Sequence, residues 1–342
     1  MKFVENFWYA AAWTDEITSQ PLARRILDRP VALFRTASGK AAAFDDCCPH
    51  RMVPLSRGRV EGETLRCGYH GLRFDCSGKC VEVPGQPNIP PRAKVTSYPL
   101  LERWNMAWIW MGDPALAEEG LIPELPWLAS THWAYSHGCI VYECNYALLL
   151  DNLIDLSHTT FVHLRTIGTD DVAKTPVKTT GDARRVLVER HMNDTEPSIM
   201  YRKLGGFTAK VNRWQKIEYT TPTNIVIDAG AVPATQGTGQ PINTRIINII
   251  TPQTATSTFH FWAFARDFKL DDASMTQYLG DAVMTTFNED KALIDAQQRN
   301  VDARPDQRML DNNADAGVVM TRRIVERLLA EEASRSAGTR AA

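Results

Sequence analysis

Long apolar runs are missing from this chain, and with them any helix that would cross a bilayer: no stretch approaches the roughly 20 residues a span requires. A dominant charge sign is missing too. With 38 basic and 40 acidic residues the formal net charge is −2, and no long basic run offers a surface to nucleic acid or an anionic membrane. Met1-Lys2-Phe3 does not open a signal peptide, and there is no internal repeat. Cysteine is scarce outside one segment: five of the seven lie between Cys47 and Cys80, leaving only Cys139 and Cys144 beyond. An odd, clustered set in a chain of this kind favours metal over a disulfide framework. The expectation is a soluble, cytoplasmic protein. Its 342 residues and 44% hydrophobic content suffice for two domains and a sizeable core.

The cysteine-rich segment carries the strongest pattern. Cys48-Pro49-His50 is followed by sixteen residues and then Cys67-Gly68-Tyr69-His70. Two cysteines and two histidines ligate either zinc or a [2Fe-2S] cluster in which two histidines replace two cysteines on one iron. Zinc fingers usually pair like with like, whereas here each half holds one of each and offers one ligand to each of two irons. Pro49 and Gly68 suit tight turns that bring thiolate and imidazole onto one centre. Cys47 competes with Cys48 for the first position, but the Cys-x-His spacing favours Cys48. Cys76 and Cys80 read as small buried residues of a hairpin turning at Ser77-Gly78-Lys79.

From Phe3 to about Leu121 the chain reads as short strands and turns, including 31–35, 41–44 and the apolar 107–111. Prolines between 114 and 126 mark a boundary. Beyond it, 132–141 reads as a strand and 146–162 as a helix with Leu148, Leu149, Leu150, Leu153, Ile154 and Leu156 on its apolar side. Strands follow at 185–188, 216–219, 224–227, 246–250 and 258–263, with an aperiodic loop from Pro233 to Pro241. Helices at 274–300 and 317–332 close the chain, and 334–342 reads as frayed. The second half is therefore α+β, a sheet flanked by helices.

The helix near residue 155 carries Asp155, His158 and His163. Iron(II) that activates dioxygen is typically held on one face by two histidines and a carboxylate. Five residues apart, His158 and His163 would sit about 140° from one another on a regular helix. Both reach one metal only if the helix ends or widens between them, and the poor helix formers Thr159-Thr160 permit that.

Cys48-Pro49-His50-Arg51 and 67–74 (Cys-Gly-Tyr-His-Gly-Leu-Arg-Phe) resemble the two cluster-binding loops of Rieske non-haem iron oxygenases. So do Phe7-Trp8-Tyr9, Trp108-Ile109-Trp110 with Gly112-Asp113-Pro114, and Asp151-Asn152-Leu153. The likeness spans nearly the whole chain and is strongest to the oxygenase components of vanillate and dicamba O-demethylases and of toluenesulfonate methyl-monooxygenase. It implies an all-β Rieske [2Fe-2S] domain over 1–122 and a helix-grip-like antiparallel-sheet catalytic domain over 123–342. It assigns Cys48, His50, Cys67 and His70 to the cluster, and His158, His163 and Asp290 to a mononuclear Fe(II). Asp290 lies in Asn288-Glu289-Asp290-Lys291, where Glu289 is the immediate competitor.

Asp155, three residues before His158 on one helical face, would accept the second imidazole N–H. By resemblance it also bridges to His70 of a neighbouring subunit in a head-to-tail homotrimer. Asn152 matches a residue near the iron. Ile227-Asp228-Ala229, Asn248 and Phe287 stand where relatives line the substrate pocket. The resemblance further implies dioxygen, a small aromatic substrate, and electrons from NAD(P)H through a separate reductase of flavin and ferredoxin type. The implied reaction is O-demethylation of a vanillate-like methoxy-aromatic acid, or methyl hydroxylation. Ring cis-dihydroxylation uses the same ligands, while a bare Rieske electron carrier would leave the second domain unexplained.

Overall fold

The computed structural model describes residues 3–234 and 237–341, with backbone alone for 336–341; Thr235 and Gln236 of the 233–241 loop lie outside the described residues. The chain divides into two compact units. One runs to Glu124 and includes Thr251–Ala255; the other holds Leu125–Ile250 and everything from Thr256.

The N-terminal unit has strands β1 (Trp8–Trp13), β2 (Leu22–Ile26), β3 (Arg29–Arg35), β4 (Ala41–Asp45), β5 (Arg59–Glu61), β6 (Thr64–Arg66), β7 (Arg73–Asp75), β8 (Cys80–Glu82), β9 (Ser97–Tyr98), β10 (Leu100–Arg103) and β11 (Met106–Trp110). They form three small sheets, ordered β1-β11-β10, β2-β3-β4-β9 and β5-β6-β7-β8. Every residue of β1 and β11 is buried, which explains why neither alternates. A second core joins Phe34, Phe44, Leu65 and Phe74 to Cys48, Cys67 and Cys80. The expected hairpin forms from β7 and β8, with Cys80 buried and Cys76 half-buried. Thr251–Ala255 belongs to this unit through Leu27 N–H and Asp28 N–H, which donate to Pro252 O and Gln253 O.

The C-terminal unit is built on a seven-stranded sheet of β12 (Ala134–Tyr142), β13 (Lys178–Gly181), β14 (Arg185–Thr195), β15 (Val211–Thr220), β16 (Asn224–Pro233), β17 (Ile242–Thr254) and β18 (Ser257–Arg266), ordered β12-β18-β17-β16-β15-β14-β13. Its helices are α1 (Tyr146–Ile154), α2 (Thr159–Val162), α3 (Asp170–Lys174), α4 (Ile199–Gly205), α5 (Ala273–Ala303) and α6 (Ala316–Ala341). Along β15 burial alternates strictly, and the odd positions face inward. On α5 the buried side chains are Leu279, Val283, Thr286, Phe287, Asp290, Ile294 and Gln298, a stripe at helical spacing with one carboxylate in it.

Three expectations need correction. The single helix over 146–162 is broken: α1 ends at Ile154, Asp155 is extended (φ −103°, ψ 101°), and a 3-10 turn over Leu156–His158 leads into α2. The last helix continues through Ala341 instead of fraying at Ser334. Strand β15 starts at Val211, not Lys216, because Asn212, Arg213 and Gln215 mask its alternation. Among the described residues no helix is long and apolar enough to cross a membrane.

Candidate active site and metal centres

The two cysteine loops share one hydrogen-bond plan. Cys48 N–H donates to Val53 O and Cys48 O accepts from Met52; Cys67 N–H donates to Leu72 O and Cys67 O accepts from Gly71. The fifth residue of each loop is left-handed, Met52 at φ 57° and Gly71 at φ 75°. Glycine takes that conformation freely, whereas Met52 holds it at a cost of about 1 kcal/mol. Gly68 is needed for another reason than the turn: a Cβ there would lie 2.4 Å from Arg57 O. Asp46 anchors the first loop, accepting from Ser56 N–H and Ser56 Oγ at 2.6 Å each.

The thiols of Cys48 and Cys67 are buried and adjacent. Burial, with the Cys67 thiol adding to it, outweighs the backbone N–H groups of His50 and Arg51 and pushes the Cys48 thiol up to about 11. The imidazoles of His50 and His70 are exposed, with ring centres 4.5 Å apart. Among the described residues, His158, His163 and Asp290 are the only three or more such side chains whose ligand atoms all lie within 4.8 Å of one another. The two thiols and two imidazoles therefore do not converge on a single zinc ion. Sulfur inside and nitrogen outside is the donor set of a two-iron Rieske cluster.

The second centre is assembled from the broken helix and α5. Asp155 Oδ1 accepts Ser157 N–H at 2.9 Å, capping the 3-10 turn that carries His158. His158 Nδ1–H donates to the Asp155 backbone carbonyl at 2.7 Å. The expected bond from His158 to the Asp155 carboxylate is thus not made: once the helix breaks there, the two residues share no helical face. His163 follows α2, where the helix has already ended (φ −105°, ψ 38°), and its Nδ1–H donates to Glu289 Oε2 at 2.7 Å. A carbonyl and a carboxylate only accept, so both histidines carry hydrogen on Nδ1 and turn Nε2 toward each other.

Both Nε2 atoms meet Asp290 Oδ1, at 3.4 Å from His158 and 3.2 Å from His163. Two atoms bound at right angles to one ion at about 2.1 Å lie about 3 Å apart, so the three ligands are already spaced for a shared metal. Burial would raise the Asp290 carboxyl, but hydrogen bonds and charge from His158 and His163 outweigh it and hold the group well below the carboxylate range. Burial lowers His163, yet Asp290 and Glu289 together leave its pKa raised. Asn152 Nδ2–H donates to Asp290 Oδ1 at 3.3 Å, and its buried Oδ1 has no partner among the described residues. Two histidines and one carboxylate whose ligand atoms converge in this way fit mononuclear iron.

The triad closes one side of a cavity enclosing about 750 Å³ of empty space, part of it open to solvent. The wall is largely apolar, including Leu153, Leu156, Ile227, Ile246, Phe264 and Phe287. Of the residues named from the resemblance, Ile227, Ala229 and Phe287 line it. Asp228 does not: strand alternation turns it to the opposite face, where it accepts from Trp214 Nε1 and Arg245 Nη1. Nor does Asn248, which is fully buried and paired with His260 Nε2 at 3.0 Å. Arg213, Gln215 and Thr244 do line it and were not anticipated. Glu289 is no competitor of Asp290: about 100° off the buried stripe of α5, it orients His163 instead. That spacing was readable from the sequence.

Two family models match: the Rieske [2Fe-2S] domain over residues 7–99, and the vanillate O-demethylase oxygenase C-terminal domain over 142–331. The iron-sulfur subunit of the toluene-4-sulfonate monooxygenase system of Comamonas testosteroni is 39% identical, covering 96% of this chain and 98% of that protein. The vanillate O-demethylase oxygenase subunit of a Pseudomonas species is 36% identical, over 96% of each. The crystal structure of dicamba monooxygenase bound to 3,6-dichlorosalicylic acid superposes with a TM-score of 0.92 at 34% identity, over 97% of this chain and 99% of that one. Two loops that each pair a cysteine with a histidine in one unit, a histidine and carboxylate triad in the other, and this likeness along the whole length agree: the chain belongs to the Rieske non-haem iron oxygenases, in the group of the vanillate O-demethylase oxygenase.

Proposed function

We propose that the chain is the terminal oxygenase for a methoxy- or methyl-substituted aromatic compound, with residues 1–122 as its Rieske domain and 123–342 as its catalytic domain. The observation that carries this is the apolar cavity ending on three convergent ligand atoms, Nε2 of His158, Nε2 of His163 and Oδ1 of Asp290. In balance, dioxygen, two electrons and two protons convert a methoxyarene to a phenol, formaldehyde and water, or a methylarene to a benzylic alcohol and water. Electrons reach it from NAD(P)H through a separate reductase of flavin and ferredoxin type. When bound, the cluster stores single electrons and the mononuclear iron activates dioxygen.

Cys48, Cys67, His50 and His70 would hold the cluster, and His158, His163 and Asp290 the iron. Asn152 steadies Asp290 through its amide, while Ile227 and Phe287 pack against the aromatic ring and exclude water. The working unit is a head-to-tail homotrimer in which Asp155 meets His70 of the next subunit. Apolar side chains exposed beside each set of histidines support this: Met52 (79%) and Tyr69 (63%) near the cluster, Phe161 (73%) and Leu164 (64%) near the iron. Asp155 also keeps one carboxylate oxygen without a hydrogen bond among the described residues.

Purified protein is expected to be brown, with about three irons and two acid-labile sulfides per chain; colourless protein without sulfide would overturn the cluster assignment. Glu289→Gln removes the charge behind His163 while keeping an acceptor, and should weaken mononuclear iron binding by roughly 10-fold. Iron retention during graded chelation measures this, and unchanged retention would deny Glu289 an orienting role. The reaction itself is tested with methoxy- and methyl-substituted arenes, NADH and a reductase. Formaldehyde or benzylic alcohol in step with oxygen uptake supports it, and a cis-diol product would refute it.

A further inference from the structure

The sheet side of the cavity carries a charge for which the proposed chemistry has no use. Arg213 and Gln215 occupy inward positions of β15, where the alternation otherwise places Val211, Ile217 and Tyr219. Arg213 is 2% exposed and lines the cavity. Among the described residues its contacts are all neutral. Nη1 donates to Thr169 Oγ1 at 3.2 Å, the guanidinium lies 4.8 Å from the centre of the Tyr201 ring, and the buried Nε has no partner.

A second buried guanidinium adds to the imbalance. Arg190 donates to Thr175 O, Ser157 Oγ and Gln215 Oε1, again neutral acceptors. Burial, with the charge of Arg213, leaves Arg190 less basic than usual, while Asp155 acts in the other direction. Asp228, the carboxylate on the adjoining strand, is spent on Arg245 and Trp214 across the sheet. Because Arg190 occupies Gln215 Oε1, the Gln215 amide N–H groups remain as donors on the cavity wall. A guanidinium stays protonated under all ordinary conditions, and a buried one without a counter-ion is strongly disfavoured. The cavity wall at Arg213 therefore suits an anion that arrives with the substrate.

We infer that Arg213, with Gln215, is the anion subsite of the cavity and holds the carboxylate or sulfonate of an aromatic acid, whose ring lies along Phe287 with its methyl or methoxy group toward Asp290. A guanidinium fork matches two oxygens of either group. The placement of the reacting carbon rests on the proposed oxygenase reading; the anion subsite rests on the cavity alone.

Calorimetry on the holoenzyme, without reductase and under anaerobic conditions, separates the two. The probes are 3-methoxybenzoate, 4-methylbenzenesulfonate and the neutral 3-methoxybenzamide. At least one acid is expected to bind ~10-fold or more tightly than the amide, and Arg213→Met to weaken that acid about 100-fold while moving the amide less than about threefold. Arg213→Lys should recover part of the loss. Metal content and circular dichroism check the fold of each variant. If Arg213→Met does not fold, Gln215→Leu and competition between benzoate and benzamide on the wild-type enzyme decide. Equal binding of acids and amide by the wild type, or an acid preference that survives Arg213→Met, overturns the subsite even if neutral arenes are demethylated. An acid preference lost in Arg213→Met, without oxidation of any acid in the coupled assay, upholds the subsite and overturns the oxygenase reading.

Discussion

Asp290→Ala is expected to give a brown protein with its cluster intact, no mononuclear iron and turnover reduced by about 1,000-fold or more. Asp290 Oδ1 is where three side chains meet: His158 Nε2 at 3.4 Å, His163 Nε2 at 3.2 Å and Asn152 Nδ2 at 3.3 Å. It is the only negative charge of the triad, and its neighbours hold it ionised far into acid. Alanine would leave two imidazoles facing a void, and two nitrogen donors retain iron(II) poorly without the carboxylate. The cluster loops belong to the other unit, and the hydrogen bonds that close and anchor them lie within it, so sulfide content should not change. Iron analysis, sulfide analysis and reductase-coupled oxygen uptake on one preparation check all three. A third iron retained in the variant would show that the ligand has been misassigned.

Asp155→Asn should retain all three irons yet turn over about 100-fold more slowly with the reductase. This substitution isolates the charge. Asparagine caps a turn as well as aspartate does, so the bond to Ser157 N–H survives, and His158 is oriented by the backbone carbonyl of residue 155, which any side chain leaves in place. Iron binding is therefore predicted to be indifferent to the change. What is lost is the second carboxylate oxygen, the one proposed to meet His70 of the neighbouring subunit. Single-turnover product formation on pre-reduced enzyme, set against reductase-coupled turnover, measures transfer between centres. Wild-type rates in both would remove Asp155 from the electron path. Loss of mononuclear iron would make it a structural residue of the iron site.

The cluster loops were legible because each is a local object. Thiolate and imidazole stand two or three residues apart, and each loop closes its hydrogen bonds within five. The stripe Val283, Phe287, Asp290 and Ile294 was equally open to reading, since 3.6-residue periodicity puts Asp290 on the buried face and Glu289 off it. The break at Asp155 was not. Its cause is a side-chain cap competing with the helix, and the run of leucines before it reads as uninterrupted helix. Asp228 was misplaced by a single residue, which on a strand is the difference between two faces.

Spacing thus sufficed to single out the four candidate cluster donors and the pair His158 and His163, because bonding rules act on residue types at short range, whereas Asp290 was named only through the family resemblance. Folding alone settled which atoms converge: that a backbone carbonyl holds His158, that Glu289 holds His163, and that Arg213 rather than Asp228 faces the cavity. Periodicity tells a side chain which face to take. Only the packing of elements distant in the chain decides what it meets there.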